Sequence, residues 1–262
     1  MTRLESLSIV LPCRDEERNI GPVVEEALAA VVRHARLGEV VLVDDGSSDG
    51  SVHAARAAVR RAAGPEAAVP LRVVRHGQGR GYGAALRSGF GHARSRWILY
   101  ADADRQFDLR EASRLVALVP EHDVVCGYRS RRADGVRRLL LGRAWSGLVN
   151  GVLGTGLRDV NCGLKLLPRA LFERIDLESR GALVDAELIA KARRLGFRVA
   201  EVAVTHRARP HGRATGARPA VIARALGELW RARSLSLHPA EPLAKPLATA
   251  GGALPGSARA RA

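Results

Sequence analysis

Apolar and polar positions alternate in short blocks through the first half of the chain, and their period switches from block to block. Residues 7–11 form a compact apolar run that stops at Pro12, the pattern of a buried strand. Beyond it Ile20, Val23, Val24, Ala27, Leu28, Val31 and Val32 recur at helical spacing, which predicts an amphipathic helix with Asn19 as its N-cap. The exchange then repeats, with strands expected over 40–43, 71–74 and 97–101 and helices over 52–63, 83–93 and 109–119. A further apolar run covers 123–127. Such alternation predicts an α/β fold, a Rossmann-like and mostly parallel sheet flanked by helices. Ligands of these sheets bind beyond the carboxyl ends of the strands.

The second half is less regular. Residues 139–153 are apolar but carry Arg143, Trp145 and Asn150, so they suit a helix and are too polar to cross a bilayer. An amphipathic segment at 184–195 precedes a strand-like 198–204, and Pro219 opens a helix over 219–233, a favourable first-turn position. From residue 235 the chain is rich in Ala, Pro and Gly, and 235–262 reads as a disordered tail. The run at 7–11 is too short for a signal peptide. The expected location is therefore cytoplasmic. Residues 139–153, flanked by Arg137 and Arg138, are one segment suited to the inner face of a membrane.

Charge changes this picture by being clustered. Of the formal +15, residues 129–143 contribute +5 and residues 191–218 contribute +7. Clusters dominated by Arg favour forked recognition of phosphate groups, although a bias in base composition would produce the same excess. The chain has only ten aromatic residues for base stacking, and a nucleic-acid partner is not expected. Cys13, Cys126 and Cys162 are odd in number and contain no paired spacing, which argues against disulfides and zinc.

The candidate chemistry lies at the predicted strand ends. Asp102 and Asp104 follow the strand 97–101; two carboxylates this close repel unless a cation or a proton separates them. They read either as a site for a hard cation, Mg²⁺ or Mn²⁺, with Gln106 nearby, or as an acidic loop. Asp44 and Asp45 end another strand and are suited to accept from a base N–H, while Glu16 is suited to accept from ribose hydroxyls. The Gly-rich run 77–89 reads either as a phosphate cradle or as a flexible turn. Asp185 and Glu187, two apart on a helix, do not share a face and read as surface charge, with a role toward an acceptor left open.

Taken in order, Pro12-Cys13-Arg14-Asp15-Glu16, Val43-Asp44-Asp45-Gly46-Ser47, Gly79-Arg80-Gly81-Tyr82-Gly83 and Asp102-Ala103-Asp104-Arg105-Gln106 resemble the motifs of family 2 glycosyltransferases. The likeness spans residues 5–234 and is greatest to the polyprenyl-phosphate mannosyl- and glucosyltransferase branch. It implies a GT-A fold over 1–234, with a nucleotide-sugar-binding half (5–127) and an acceptor half (128–234). It also implies inverting, metal-dependent transfer of a hexose from a GDP-mannose or UDP-glucose type donor to a polyprenyl phosphate. In that frame Asp104 and Gln106 hold the metal, and Asp102 serves the nucleotide-sugar side. Arg129 of Gly127-Tyr128-Arg129 faces the diphosphate, Lys165 of Asp159-Val160-Asn161-Cys162-Gly163-Leu164-Lys165 lies near the acceptor, and Arg207, Arg209 and Arg213 belong to a loop closing over phosphates. Pro12, Arg14, Glu16, Asp44, Asp45, Gly79 and Gly83 line the donor pocket. Arg14 stands where the family usually has Tyr, so its guanidinium takes over the stacking role. Relatives in this branch often carry carboxy-terminal membrane helices; a separate membrane subunit is one way to supply that context. A soluble or cell-envelope acceptor is the alternative, and a nucleotidyltransferase a lesser one, since residues 11–16 contain no Gly-rich, Lys-containing loop.

Overall fold

The computed structural model describes residues 3–132, 136–212 and 219–233. Among these residues seven strands form one sheet in the order β3-β2-β1-β4-β6-β5-β7. The strands are β1 (Leu4–Cys13), β2 (Ala35–Asp44), β3 (Leu71–Arg75), β4 (Trp97–Ala101), β5 (Val124–Arg132), β6 (Leu164–Pro168) and β7 (Val199–His206). The helices are α1 (Glu17–His34), α2 (Ser51–Arg61), α3 (Tyr82–His92), α4 (Ala112–Val116), α5 (Val136–Leu153), α6 (Val184–Arg194) and α7 (Pro219–Ala232). All pairings are parallel except those of β6, which runs antiparallel to β4 and to β5.

The apolar stripe of α1 does what its spacing implies. Ile20, Val23, Val24, Ala27, Leu28 and Val31 are all buried, packed with Leu7, Ile9 and Leu11 of β1 on one face of the sheet. Val10 and Tyr100 point to the other face, where α3, α5 and α6 bring Leu86, Phe90, Val149, Leu188 and Ile189. Neighbouring strand residues therefore feed two cores, as the two-residue period of a strand requires. β1 and β4 sit at the centre, and the order reverses between them: β2 and β3 lie to one side, β6, β5 and β7 to the other. That reversal opens a crevice beyond the carboxyl ends of β1 and β4, the usual ligand position in such sheets.

The structure departs from the sequence reading at three elements. Asn19 is not the N-cap of α1. The helix starts at Glu17, the Glu16 carbonyl accepts from both Asn19 N and Ile20 N at 2.8 Å, and Asn19 Nδ2 donates to the Glu16 carboxylate at 2.6 Å. The helix expected over 109–119 is a 3₁₀ turn at Leu109–Glu111 followed by the single turn and a half of α4. The strand β6 was missed because a lysine stands within it, where a buried strand ordinarily has none.

Lys165 is fully buried, and its ammonium reaches the carbonyls of Val160 and Cys162 and, at 2.8 Å, Asp185 Oδ1. Asp185, on α6, also accepts from the Tyr100 hydroxyl of β4. Asp185 and Glu187 are both buried, which corrects their reading as surface charge. Glu187 accepts from the backbone N–H groups of Glu178 and Ser179 and pairs with Lys191 at 2.7 Å. Three elements are thus pinned by one buried ion pair, and removing one partner leaves the other charge stranded. Lys165→Met is expected to lower unfolding free energy by about 3–5 kcal/mol, the range for a broken buried pair. Lys165→Met combined with Asp185→Asn recovers most of that loss, as read by urea denaturation.

Candidate functional site

Four loops converge on the crevice, each leaving the carboxyl end of a strand: 14–16 after β1, 45–50 after β2, 102–108 after β4 and 207–212 after β7. Their backbones are shaped for it. Asp15 (φ 54°) and Arg105 (φ 63°) are the non-glycine residues with positive φ among the described residues, and each lies inside one of these loops. Strained conformations of this kind concentrate at functional sites.

Asp102 extends from the end of β4, where its N–H donates to the Gly163 carbonyl at 3.3 Å. Tyr82, at the first turn of α3, donates its hydroxyl to Asp102 Oδ1 at 2.9 Å. Gly163 lies so close to this carboxylate that any Cβ there would collide with it. Burial, and then the neighbouring charge of Asp104, push the Asp102 carboxyl up to about 7. The Asp104 carboxyl is also raised by burial, against the opposing pull of the Gln106 N–H and of Arg209. Gln106 donates its side-chain amide to the Arg207 carbonyl at 3.2 Å, which leaves the amide oxygen as its ligating atom.

Arg209 occupies the space between the acidic loops. Its guanidinium pairs with Glu16 and lies 3.5 Å from Asp104 Oδ2. Glu16 is itself buried, and its carboxyl is raised chiefly by that burial while Asn19 and Arg209 lower it. The positively charged fork therefore sits between two carboxylates that otherwise repel across the crevice.

The donor-pocket residues separate into two groups. Pro12 lies past the last β1–β4 pair, Val10 with Tyr100, so the missing N–H costs that ladder nothing. Arg14 lays its guanidinium against Gly79, where a side chain would collide with it. Beside them opens a shallow cavity of about 390 Å³ lined by Gly46, Ser47, Arg75, His76 and Gly77. Asp44 and Asp45, by contrast, are buried and already bonded. Asp44 accepts from Ser47 N at 2.9 Å and pairs with Arg75 at 3.1 Å. Asp45 bonds His76 Nδ1 at 2.6 Å and accepts from Arg80 N and Gly81 N, both at 2.8 Å. These bonds hold the Asp45 carboxyl below the usual range against the opposing effect of burial. Gly83 N donates to the Arg180 carbonyl at 3.0 Å. The amides of Arg80, Gly81 and Gly83 are therefore engaged by protein, and this part of the Gly-rich loop braces the crevice wall.

Two of the expected phosphate ligands also have partners. Arg129 makes a fork with Asp159 at 2.6 and 2.7 Å, half-buried and close enough to Asp104 to lower its carboxyl. Arg207 pairs with Asp108 and lies 4.0 Å from Glu26. Lys165 is enclosed in the core and does not line the crevice. Arg213 lies outside the described residues. His76 was not singled out from the sequence, and Tyr82 and Asp159 stood there only inside the Gly-rich and acceptor-side motifs, with no role of their own.

Residues 8–176 match the model of glycosyl transferase family 2. The chain belongs to this family. Among its curated relatives, the dodecaprenyl-phosphate galacturonate synthase of Rhizobium johnstonii is 32% identical over 79% of this chain and 60% of the relative. The undecaprenyl-phosphate 4-deoxy-4-formamido-L-arabinose transferase of Pseudomonas aeruginosa is 31% identical over 80% of the chain and 60% of its own length. The chain thus spans about 60% of the length of these two relatives. In fold it is similar to glucosyl-3-phosphoglycerate synthase of Mycobacterium tuberculosis in complex with Mg²⁺ and UDP. That match has a TM-score of 0.67 and 21% identity, and covers 87% of this chain and 79% of the other. The fold is GT-A.

Within this family frame the crevice fits a divalent cation by its donor chemistry. Asp104 and Gln106 offer hard oxygens, and a cationic side chain already lies against Asp104. Among the described residues no three Asp, Glu, His or Cys side chains close around a common point. An ion held here would complete its shell from water and phosphate oxygens, the habit of Mg²⁺.

The Asp102 shift carries a stability signature. A carboxyl raised from 3.8 to about 7 binds its proton more tightly in the folded protein than in the unfolded chain. Its stabilising contribution is therefore complete below pH 4 and is lost as pH rises toward 7. Asp102→Asn removes this loss. Its Tm relative to the parent should climb steadily between pH 4 and 7, measured without metal or nucleotide, and a pH-independent difference would contradict the assignment.

Proposed function

We propose that this protein transfers a hexose from a nucleoside diphosphate sugar, of the UDP type, to a polyprenyl phosphate, with a divalent metal ion. The observation that carries the reading is the meeting of Glu16 and Asp104 on Arg209 at the crevice between β1 and β4, with Asp102 beside Asp104. The names of the curated relatives support a lipid phosphate acceptor, and the UDP complex of the structural neighbour supports a uridine donor. The GDP-mannose alternative has no comparable support.

In this reading the base enters the cavity between Gly46 and Gly77, with Arg14 against one side. The uncommitted edge of the crevice, rather than Asp44 or Asp45, then receives the ribose and the diphosphate. Glu16 accepts from ribose hydroxyls once Arg209 leaves it. Asp104 and Gln106 hold the ion, which when bound supplies Lewis-acid charge to the diphosphate. Arg209 exchanges its carboxylate partners for a phosphate, and Arg129, steadied by Asp159, adds positive potential from the other side. Asp102, fixed by Tyr82 and Gly163, orients the sugar.

The bond making and breaking needs no proton transfer. An anionic oxygen of the lipid phosphate attacks the anomeric carbon as the bond from that carbon to the diphosphate oxygen breaks. The diphosphate leaves with the electron pair, and attack from the opposite side inverts the centre. A nucleophile already charged requires no general base, in accord with the buried and fully bonded state of Asp185 and Glu187.

The test is transfer from UDP-glucose, UDP-galacturonate and GDP-mannose to undecaprenyl phosphate in detergent with Mn²⁺. Asp104→Ala should reduce turnover by at least about 100-fold, the scale of losing a main electrostatic stabiliser. Arg209→Ala should lower kcat while tightening Mn²⁺ binding measured by calorimetry in the absence of nucleotide, because a competing cation has been removed. Full turnover in EDTA, or no donor that shifts the melting temperature, would overturn the reading.

A further inference from the structure

The short segment 178–181, which precedes α6, is held from two sides. Its four backbone N–H groups are accepted by two buried carboxylates. Glu178 N and Ser179 N donate to Glu187 of α6 at 2.9 and 2.8 Å, and Arg180 N and Gly181 N donate to Glu228 Oε1 of α7 at 3.1 and 3.2 Å. Two of its carbonyls serve α3. Ser179 O accepts from Arg87 Nη1 at 2.7 Å, and Arg180 O accepts from Gly83 N at 3.0 Å. The segment lies directly on the Gly-rich run: a Cβ on Gly83 would stand 2.2 Å from Ser179 O, and one on Gly81 would stand 2.9 Å from Arg180 O.

The start of α3 depends on this contact. The first N–H groups of a helix have no acceptor within the helix. The N-cap of α3 is Gly81, which has no side chain to offer one. The Arg180 carbonyl fills that place for Gly83 N, and Tyr82 of the same turn donates its hydroxyl to Asp102 Oδ1 at 2.9 Å. A displacement of 180–181 therefore moves the group that fixes Asp102. Seating α7 does not itself call for Glu228, because Ala225 and Leu229 bury the apolar side of the helix. Glu228 is buried as well, and its Oε2 has no hydrogen-bond partner. A buried carboxylate left half unpaired is costly. What offsets that cost is the pair of N–H groups held by the other oxygen.

We infer that Glu228 is a positioning residue of the transfer site: through the 180–181 turn and the first turn of α3 it sets Tyr82, and through Tyr82 the Asp102 carboxylate. The inference rests on the reading above, in which Asp102 orients the donor sugar. Glu228 and the segment 178–181 both lie beyond residues 8–176, the part that matches the family model. The nucleotide end of the Gly-rich run is held separately, by Asp45 through Arg80 N and Gly81 N. Asp104 and Gln106 are positioned by the loop after β4 and by the Arg207 carbonyl, with no contribution from α7. Loss of Glu228 therefore disturbs the sugar and spares the nucleotide.

Hydrogen exchange in the ligand-free full chain tests the brace. Glu228→Ala strands two N–H groups, whereas Glu228→Gln keeps an oxygen for both. Peptides covering 79–88 should exchange about ten-fold faster in Glu228→Ala, the factor for one ordinary hydrogen bond, and at the parental rate in Glu228→Gln. Glu228→Asp, one methylene short of the turn, should behave like Glu228→Ala and replaces it if that variant does not fold. Calorimetry with Mn²⁺ then reads the consequence. Glu228→Ala and Tyr82→Phe should each weaken UDP-glucose or UDP-galacturonate, whichever the parent binds more tightly, by about ten-fold. UDP itself should weaken less than about two-fold, and the double variant should lose no more than either single one, as expected of residues in one chain of contacts. Unchanged exchange, equal weakening of UDP and the UDP-sugar, additive losses, or a Glu228→Gln variant as impaired as Glu228→Ala would overturn the proposal. A parent that binds neither UDP nor a UDP-sugar overturns the donor reading and the role of Asp102 with it, an outcome distinct from a failed exchange result.

Discussion

Three buried carboxylates reach the crevice where the strand order reverses, and Asp104 repels each of the other two. Glu16 leaves β1, Asp102 and Asp104 leave β4, and these strands are neighbours in the sheet. Burial raises all three carboxyls, so each tends to hold a proton unless positive charge is supplied. In the free protein Arg209 supplies part of that charge, and Arg129 acts from farther away. In the proposed reading a bound metal ion takes over at Asp104 the part that Arg209 plays in the free protein.

The surrounding hydrogen bonds make that arrangement rigid on one side and movable on the other. Asp102 is locked by Tyr82, by the backbone of Gly163, and through the 160–163 turn by the buried ammonium of Lys165. Asp45 anchors the Gly-rich loop through two backbone amides and reaches Ser88 of α3 through His76. Against these fixed walls the Arg209 guanidinium rests on Glu16, Asp104 and the His211 carbonyl, while the backbone of its loop is bonded to Gln106 and Asn19. A preorganised wall facing an exchangeable cation is what charge development on a leaving diphosphate requires.

Fold class, the first four strands and the acidic crevice were legible because they rest on local patterns. Period-two and period-3.6 runs state which segments are buried, and strand ends collect Asp and Glu within a few residues. What could not be read rests on partners distant in sequence. Lys165 and Asp185 look like polar interruptions until β6 and α6 are packed together, and only their pairing makes a strand with a central lysine stable. Asp44 and Asp45 stood at the right edge, yet Arg75, His76 and the 80–81 amides had claimed them. Asn19 was chosen as a cap from its residue type, while the chain used the Glu16 carbonyl.

The basic clusters show how far a charge count from sequence overstates anion-binding capacity. Arg129 is forked on Asp159, Arg198 on Asp123, and Arg207 on Asp108. Arg193 donates to the Thr155 carbonyl and Lys191 is enclosed by Glu178 and Glu187. Most of the positive charge in 191–207 therefore knits the second half of the sheet to its loops. Whether a carboxylate or carbonyl already faces it, and not the number of arginines, separates a structural cation from one available to a partner.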